Sequence, residues 1–275
     1  MKTLTIGDTH GKWEWKILTH GSAEKFYEWR KDVELGRDPK SPYYASLPYM
    51  KYDKIIFIGD YVDSFTHTNV EILHNLNEIM FFSQQLADRV VLLLGNHDVQ
   101  YIVENHGCSG FRPEMKFDLA DFFRQNESRF KIAHEEIDTD GMRYLWTHAG
   151  VSKSWLKVLK DRLGNPKHRL QKVFADALDG DISELLNLAW EARAEEVFMC
   201  DYMSGGRDQV AGPLWIRPAA LNPKGLPGYT QIVGHTVMKD IAVKKAGLKE
   251  KHYFVDVLDE HITGLELDID QEKGT

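Results

Sequence analysis

The chain has 275 residues, room for one large domain or two small ones. Its 43% hydrophobic and 28% charged content excludes disorder, collagen and coiled coil as overall descriptions. Acidic residues (42) outnumber basic ones (34), and the formal charge of -8 argues against a mainly electrostatic nucleic-acid binder, while leaving room for a local basic groove.

Two cysteines, Cys108 and Cys200, make no disulfide framework and fit a reducing, cytoplasmic compartment. The N-terminus lacks the apolar run of a signal peptide and reads as a strand from its first residues. No apolar run approaches the roughly 20 residues of a spanning helix, so no membrane partner is expected.

Taken in chain order, short apolar runs end in small polar clusters. Residues 4–6 form a strand before Gly7-Asp8-Thr9-His10-Gly11. A helix is predicted over 22–35, stopping at Gly36, and 37–52 reads as an irregular loop. A strand over 55–58 precedes Gly59-Asp60-Tyr61-Val62-Asp63, and a strongly amphipathic helix follows over 70–87. Residues 90–94 form a strand before Gly95-Asn96-His97-Asp98. Helical patterns recur at 117–123, 155–163 and 182–198, the last with Asp181 as a candidate cap. Strands at 144–146 and 232–233 end in Thr147-His148-Ala149-Gly150 and Gly234-His235-Thr236. Three β-strands, at 241–243, 253–257 and 262–267, close the chain. Strands alternating with helices predict an α/β layered fold, with no repeat and no linker. One domain over 1–275 is expected, with a cap or insertion at about 12–52. Tyr43, Tyr44 and Tyr49 in that insertion either stack on a substrate ring or pack it onto the domain.

The five strand ends carry the chemistry. They supply the carboxylates Asp8, Asp60, Asp63 and Asp98, the amide of Asn96, and the imidazoles of His10, His97, His148 and His235. Strand carboxyl ends of one sheet open on a common crevice, so these groups are expected to meet. A glycine directly before Asp8, Asp60, Asn96 and His235 lets the backbone turn sharply there. Mixed oxygen and nitrogen donors suit Mn²⁺, Fe, Co²⁺ or Zn²⁺. Two such ions are a standard device for displacement at phosphorus. Each motif alone has an ordinary reading: Gly-Asp as a turn or cap, a lone His148 or His235 as a core histidine. All five in this order point to a metal site.

The order Gly-Asp-x-His-Gly, Gly-Asp-x-Val-Asp, Gly-Asn-His-Asp, His-Ala-Gly, Gly-His-Thr resembles the calcineurin-like metallophosphoesterases. It is closest to the branch of phosphoprotein phosphatases, bacterial and phage protein phosphatases and symmetrical diadenosine tetraphosphatases. The resemblance implies a four-layer α-β-β-α sandwich with a dinuclear site at the strand ends. It makes Asp8 and His10 ligands of one metal, Asp60 the bridge, and Asn96, His148 and His235 ligands of the second. His97 becomes the general acid, held by Asp63, and a metal-bridging hydroxide the nucleophile. Mn²⁺ is the first expectation for both ions, with Fe, Zn²⁺, Co²⁺ or Ni²⁺ as substitutes. Asn96 is also expected to contact substrate. Asp98 stands where the phosphoprotein phosphatases carry Glu, and reads as supporting the ligands or as structural.

Two positions depart from that pattern. Ser64-Phe65 replaces the Arg-Gly whose arginine grips phosphate in the protein phosphatases. Arg217, in Trp215-Ile216-Arg217-Pro218, resembles a segment of the bacterial and phage relatives and is the candidate phosphate clamp. Its ordinary reading is a surface arginine beside a core tryptophan. The expected activity is metal-dependent hydrolysis of phosphate monoesters on a phosphoprotein or a small phosphorylated molecule. Alternatives are a dinucleoside polyphosphate hydrolase, an enzyme acting on nucleic-acid ends, and, remotely, a non-catalytic scaffold, which would have no reason to keep every ligand.

Overall fold

A computed structural model describes residues 1–271 except 105, 166, 168–173, 175, 176, 179, 201 and 202. Among the described residues, ten strands form two five-stranded sheets. The first holds β1 (Lys2–Ile6), β2 (Lys54–Phe57), β3 (Val90–Leu93), β4 (Phe130–Lys131) and β10 (Leu265–Asp268) in the order β10-β1-β2-β3-β4. The second holds β5 (Ala133–Ile137), β6 (Arg143–Thr147), β7 (Tyr229–Val233), β8 (Ala242–Lys245) and β9 (Lys251–Phe254) in the order β5-β6-β7-β9-β8. β1, β2 and β3 run parallel, as do β6, β7 and β9.

Alternation along the strands builds the layers. Ile56, Ile58, Leu93, Trp146, Ile232 and Val255 pack together between the sheets. The Trp146 indole donates across this layer to Thr5 Oγ1 at 2.9 Å. Leu4, Ile6, Ile55 and Phe57, one residue out of phase, join the helices on the outer face. The fold is the expected α/β sandwich of two sheets with helices outside.

Several local expectations change. The helix expected over 70–87 runs over Asn69–Gln85, and Thr68 caps it in a capping box with Glu71. Asp181 precedes the helix Ile182–Glu191 without capping it, because Arg143 takes its carboxylate at 2.5 Å. The stretch 37–52 contains two short 3₁₀ turns, Pro42–Tyr44 and Pro48–Lys51. β4 and β5 went unpredicted because neither is an apolar run: β5 is Ala-His-Glu-Glu-Ile.

Residues 15–52 pack on the outer face of the helix Asn69–Gln85. Phe26, Trp29, Tyr49 and Phe82 surround the His20 ring, Trp15 packs on Phe26 and Phe82, and the Trp15 indole donates to Asn75 Oδ1 at 2.8 Å. Tyr44 and Tyr49 are buried there, while Tyr43 is exposed.

Burial, reinforced by Lys16, lowers the His20 pKa to about 3, and burial lowers His252 to about 4. Both stay neutral in the fold but take up a proton near pH 6.5 once unfolded, so stability falls as pH drops from 6.5 toward 4. Each histidine adds a slope of about 1.4 kcal/mol per pH unit within that window. Urea midpoints between pH 7 and 4.5 check this; His20→Gln lowers the whole curve and removes one proton's worth of its slope.

Candidate metal centre

The carboxyl ends of β1, β2, β3, β6 and β7 converge as expected. Their loops border a cleft of about 510 Å³ lined by His10, Asp60, Asn96, His97, Arg217 and His235, among others. Asp8 and His148 lie buried behind that lining. Five non-glycine residues among those described have positive φ, and four of them, His10, Asp60, Asp63 and His235, belong to these loops. Such backbone is costly and concentrates where a side chain must be aimed.

This corrects the expected role of the glycines. Of Gly7, Gly59, Gly95 and Gly234, only Gly59 has positive φ. Gly95 and Gly234 are needed for space: a Cβ at Gly95 would overlap Asp60 Oδ1, and one at Gly234 would overlap Asp8 Oδ1.

Asp60 is the common point. Its Oδ1 accepts the His97 N–H at 2.9 Å, and its Oδ2 lies 3.3 Å from His148 Nε2 and 3.8 Å from His10 Nε2. His148 Nδ1 faces the Ile58 carbonyl at 3.0 Å, and His10 Nδ1 faces the Val62 carbonyl at 2.8 Å. A carbonyl only accepts, so each Nδ1 carries its proton and each Nε2 lone pair points toward Asp60. Asn96 Oδ1 stands 3.0 Å from His148 Nε2, adding another acceptor. His235 completes the arrangement the other way round: its Nε2 donates to the Trp215 carbonyl at 3.1 Å, leaving Nδ1 as the ligand atom.

Ligand atoms of Asp60, His148 and His235 lie within 4.8 Å of one another, as do those of His10, Asp60 and His97. Asp8 gives Oδ2 to the His235 N–H at 2.9 Å, while its buried Oδ1 has no hydrogen-bond partner. Lone pairs converging without donors are what a divalent cation site presents before loading. The residues present fit two ions.

Electrostatics follow from this crowding. Burial alone would raise the Asp60 carboxyl, but His148 and His97 hold it well below the usual range. Burial, then Asp256 and Asp60, push Asp8 up. Burial, with His148 and Arg217 beside it, holds His235 well below its ordinary value. His97 is raised: burial works against its charge, and Asp60 and Asp63 more than offset that.

Asp63 does sit beside His97, with Oδ2 at 3.2 Å from Nδ1. Gln100 and the Tyr101 hydroxyl also donate to its carboxylate, which fixes its position. Asp98 takes a structural place. It accepts the backbone N–H groups of Gly95, Asp60 and Tyr61 at 2.8–2.9 Å, tying the loops after β2 and β3 together.

Arg217 borders the cleft, and its Nη1 donates to the His235 carbonyl at 2.9 Å and Thr236 Oγ1 at 3.0 Å. Ser64, at the missing-arginine position, caps its own loop by accepting the N–H groups of Thr66 and His67. Arg112 grips that loop from outside, on the carbonyls of Ser64 and His67. Sequence reasoning missed Arg112, Gln100, Tyr101 and Asp256. The last lines the cleft just past β9, and the strand predicted over 253–257 had placed it within the sheet.

The chain matches the calcineurin-like phosphoesterase family over residues 1–209. It belongs to that family. The match includes Asp8, His10, Asp60, Asp63, Asn96, His97 and His148; His235 and Arg217 lie beyond it. Calcineurin-like phosphoesterases are metal-dependent hydrolases, so this chain is a metallophosphoesterase that acts on phosphorylated substrates. No curated protein matches the chain. Among solved structures, it is similar to the phosphatase domain of the Legionella effector WipB: 14% identity, 86% of this chain and 100% of that one covered, TM-score 0.48. No helix among the described residues is long and apolar enough to cross a membrane.

Removing the Asp98 carboxylate strands three buried backbone donors, each worth about 1–3 kcal/mol when left unpaired. Asp98→Ala is therefore expected to destabilise the protein by several kcal/mol in urea and to weaken Mn²⁺ binding, while Asp118→Ala, at an exposed position of the helix Lys116–Gln125, changes neither by a comparable amount.

Proposed function

We propose that this metallophosphoesterase is a phosphomonoesterase of the phosphoprotein phosphatase-like branch, acting on a phosphoprotein or small phosphorylated molecule. The observation that carries this reading is the His97–Asp63 pair standing beside the converged lone pairs of Asp60, His148 and His10. Asp8 and His10 would hold one ion, Asn96, His148 and His235 the other, and Asp60 both. Mn²⁺ is the favoured ion, since oxygen and imidazole donors without thiolate suit it. Bound there, two divalent ions would neutralise phosphate charge and generate a nucleophile from water near neutral pH.

The protein's own groups would do the rest. Asp63 accepts from His97 Nδ1 and so leaves Nε2–H to face the cleft. His97 would deliver that proton to the leaving alkoxide, and the Asp63 carboxylate at 3.2 Å from Nδ1 supports the charged form that carries it. The His97 N–H bond to Asp60 Oδ1 links the acid's backbone to the bridging carboxylate. Asn96 and Arg217 would orient the phosphoryl oxygens; the guanidinium is already anchored through Nη1.

The whole of 1–275 is read as one domain, with 12–52 an insertion. Two cysteines and no disulfide among the described residues support a cytoplasmic setting. One observation favours a second reading, dinucleoside polyphosphates or nucleic-acid ends: Ser64 is turned into its own loop and supplies no cation where the protein phosphatases have one.

Purified protein with Mn²⁺ is expected to hydrolyse p-nitrophenyl phosphate, and EDTA to abolish this. Asp60→Asn should remove more than 99% of kcat; full activity without metal would overturn the mechanism. On an alkyl phosphate such as phosphoserine, His97→Asn is expected to lower kcat about 10²–10⁴-fold, with metal content by elemental analysis unchanged. The deficit should shrink for leaving groups of low pKa, which need no proton. An Arg217→Ala protein with wild-type KM and kcat would remove the clamp.

A further inference from the structure

The topology contains one strand end more than the motifs did. In the second sheet, β6, β7 and β9 are mutually parallel, so the chain leaves β9 at the same edge where His148 and His235 leave β6 and β7. The residues there are Val255 and Asp256. Backbone contacts fix Asp256 in place: its carbonyl accepts the Met238 N–H at 2.8 Å, and the Val255 N–H donates to the Val233 carbonyl at 2.8 Å.

β9 also abuts the end of β1 in the other sheet. A Cβ at Gly7 would overlap the Val255 carbonyl and lie 3.2 Å from Asp256 Cα. Only glycine permits that approach, and the residue it brings alongside Asp256 is Asp8. Asp256 is 2% exposed, lines the cleft, and its buried Oδ1 has no hydrogen-bond partner. Asp8 Oδ1 is buried and unpartnered in the same way. Lys12, the nearby cation, is committed to Asp259 at 2.9 Å. Two adjoining buried carboxylates, each with an oxygen lacking a donor, repel each other unless one takes up a proton or a cation stands between them. An oxygen of this kind in a core costs stability unless a ligand satisfies it.

From this geometry we propose that Asp256 is a further carboxylate of the metal centre, facing the ion held by Asp8 and His10. It rests on the two-ion reading of the site. Each sheet then contributes three strand ends to the centre: Asp8, Asp60 and Asn96 from the first, His148, His235 and Asp256 from the second. Asp256 raises the negative charge around the first ion and holds it against the bridging Asp60.

The test is Mn²⁺ titration of metal-free wild type and Asp256→Asn by calorimetry, with melting curves in EDTA and in saturating Mn²⁺. Wild type is expected to take up two ions. In the variant one ion should bind at least tenfold more weakly and the other within about threefold of wild type. In EDTA the variant should melt no lower than wild type, because a buried repulsion is gone, and it should gain less on adding Mn²⁺. Wild-type affinity for both ions in the variant overturns the inference and leaves the two-ion reading intact, as does a lower melting point in EDTA with the full Mn²⁺ gain kept. Failure of wild type itself to bind Mn²⁺ overturns both. Should Asp256→Asn not fold, Asp256→Glu keeps the charge one methylene displaced; weakened binding of one ion supports the assignment, and unchanged binding of both removes it.

Discussion

The structure is organised around one carboxylate, Asp60, which sits where the two sheets open toward each other. It is tied by its side chain to the His97 backbone, flanked by the Nε2 atoms of His148 and His10, and held at its own N–H by Asp98. Its backbone is left-handed, at φ 52°, a conformation that an L-residue adopts only when its surroundings impose it. The histidine protons are turned outward, onto the Ile58 and Val62 carbonyls, so the inward faces present lone pairs to a carboxylate. Without a cation, that arrangement is reconciled only by protonating imidazole. Two cations bound there would be held by those lone pairs.

The sandwich exists to bring these loops together. Neither sheet supplies all of the converging side chains: Asp60, Asn96, His10 and Asp8 come from one, His148 and His235 from the other. The inter-sheet core of Ile56, Ile58, Trp146, Ile232 and Val255 sits directly beneath the centre and fixes the distance between the two halves. The glycines contribute close approach where sequence logic suggested sharp turning. Gly95 and Gly234 leave room for Asp60 and Asp8, and the positive φ angles fall on His10, Asp60, Asp63 and His235 themselves.

Much of this was legible in the chain because ligands at strand ends leave a local signature: an apolar run, a glycine, then Asp, Asn or His. That signature, lacking only its glycine before His148, located Asp8, His10, Asp60, Asn96, His97, His148 and His235, and the alternation of runs indicated the layered α/β fold. What it did not show has physical causes. β5 carries His and Glu, since part of it lies half-buried at a sheet edge, so it has no apolar pattern. Asp256 follows a strand whose end the sequence placed three residues too late, and without a glycine before it nothing marked the boundary. Arg112 acts from 48 residues away on the Ser64 carbonyl, and Gln100 and Tyr101 act through the tertiary position of Asp63. Contacts of this kind come from packing, and no spacing rule encodes them.

The central claim is that the lone pairs around Asp60 are metal ligands. The most direct measurement is the anomalous scattering of crystals grown with Mn²⁺, recorded at the manganese edge. The account expects two peaks, both within bonding distance of the Asp60 carboxylate, one also bonded to His148 Nε2 and His235 Nδ1 and the other to His10 Nε2 and Asp8. It would be contradicted by an empty centre in which a protonated His148 hydrogen-bonds directly to Asp60, or by ions bound away from Asp60.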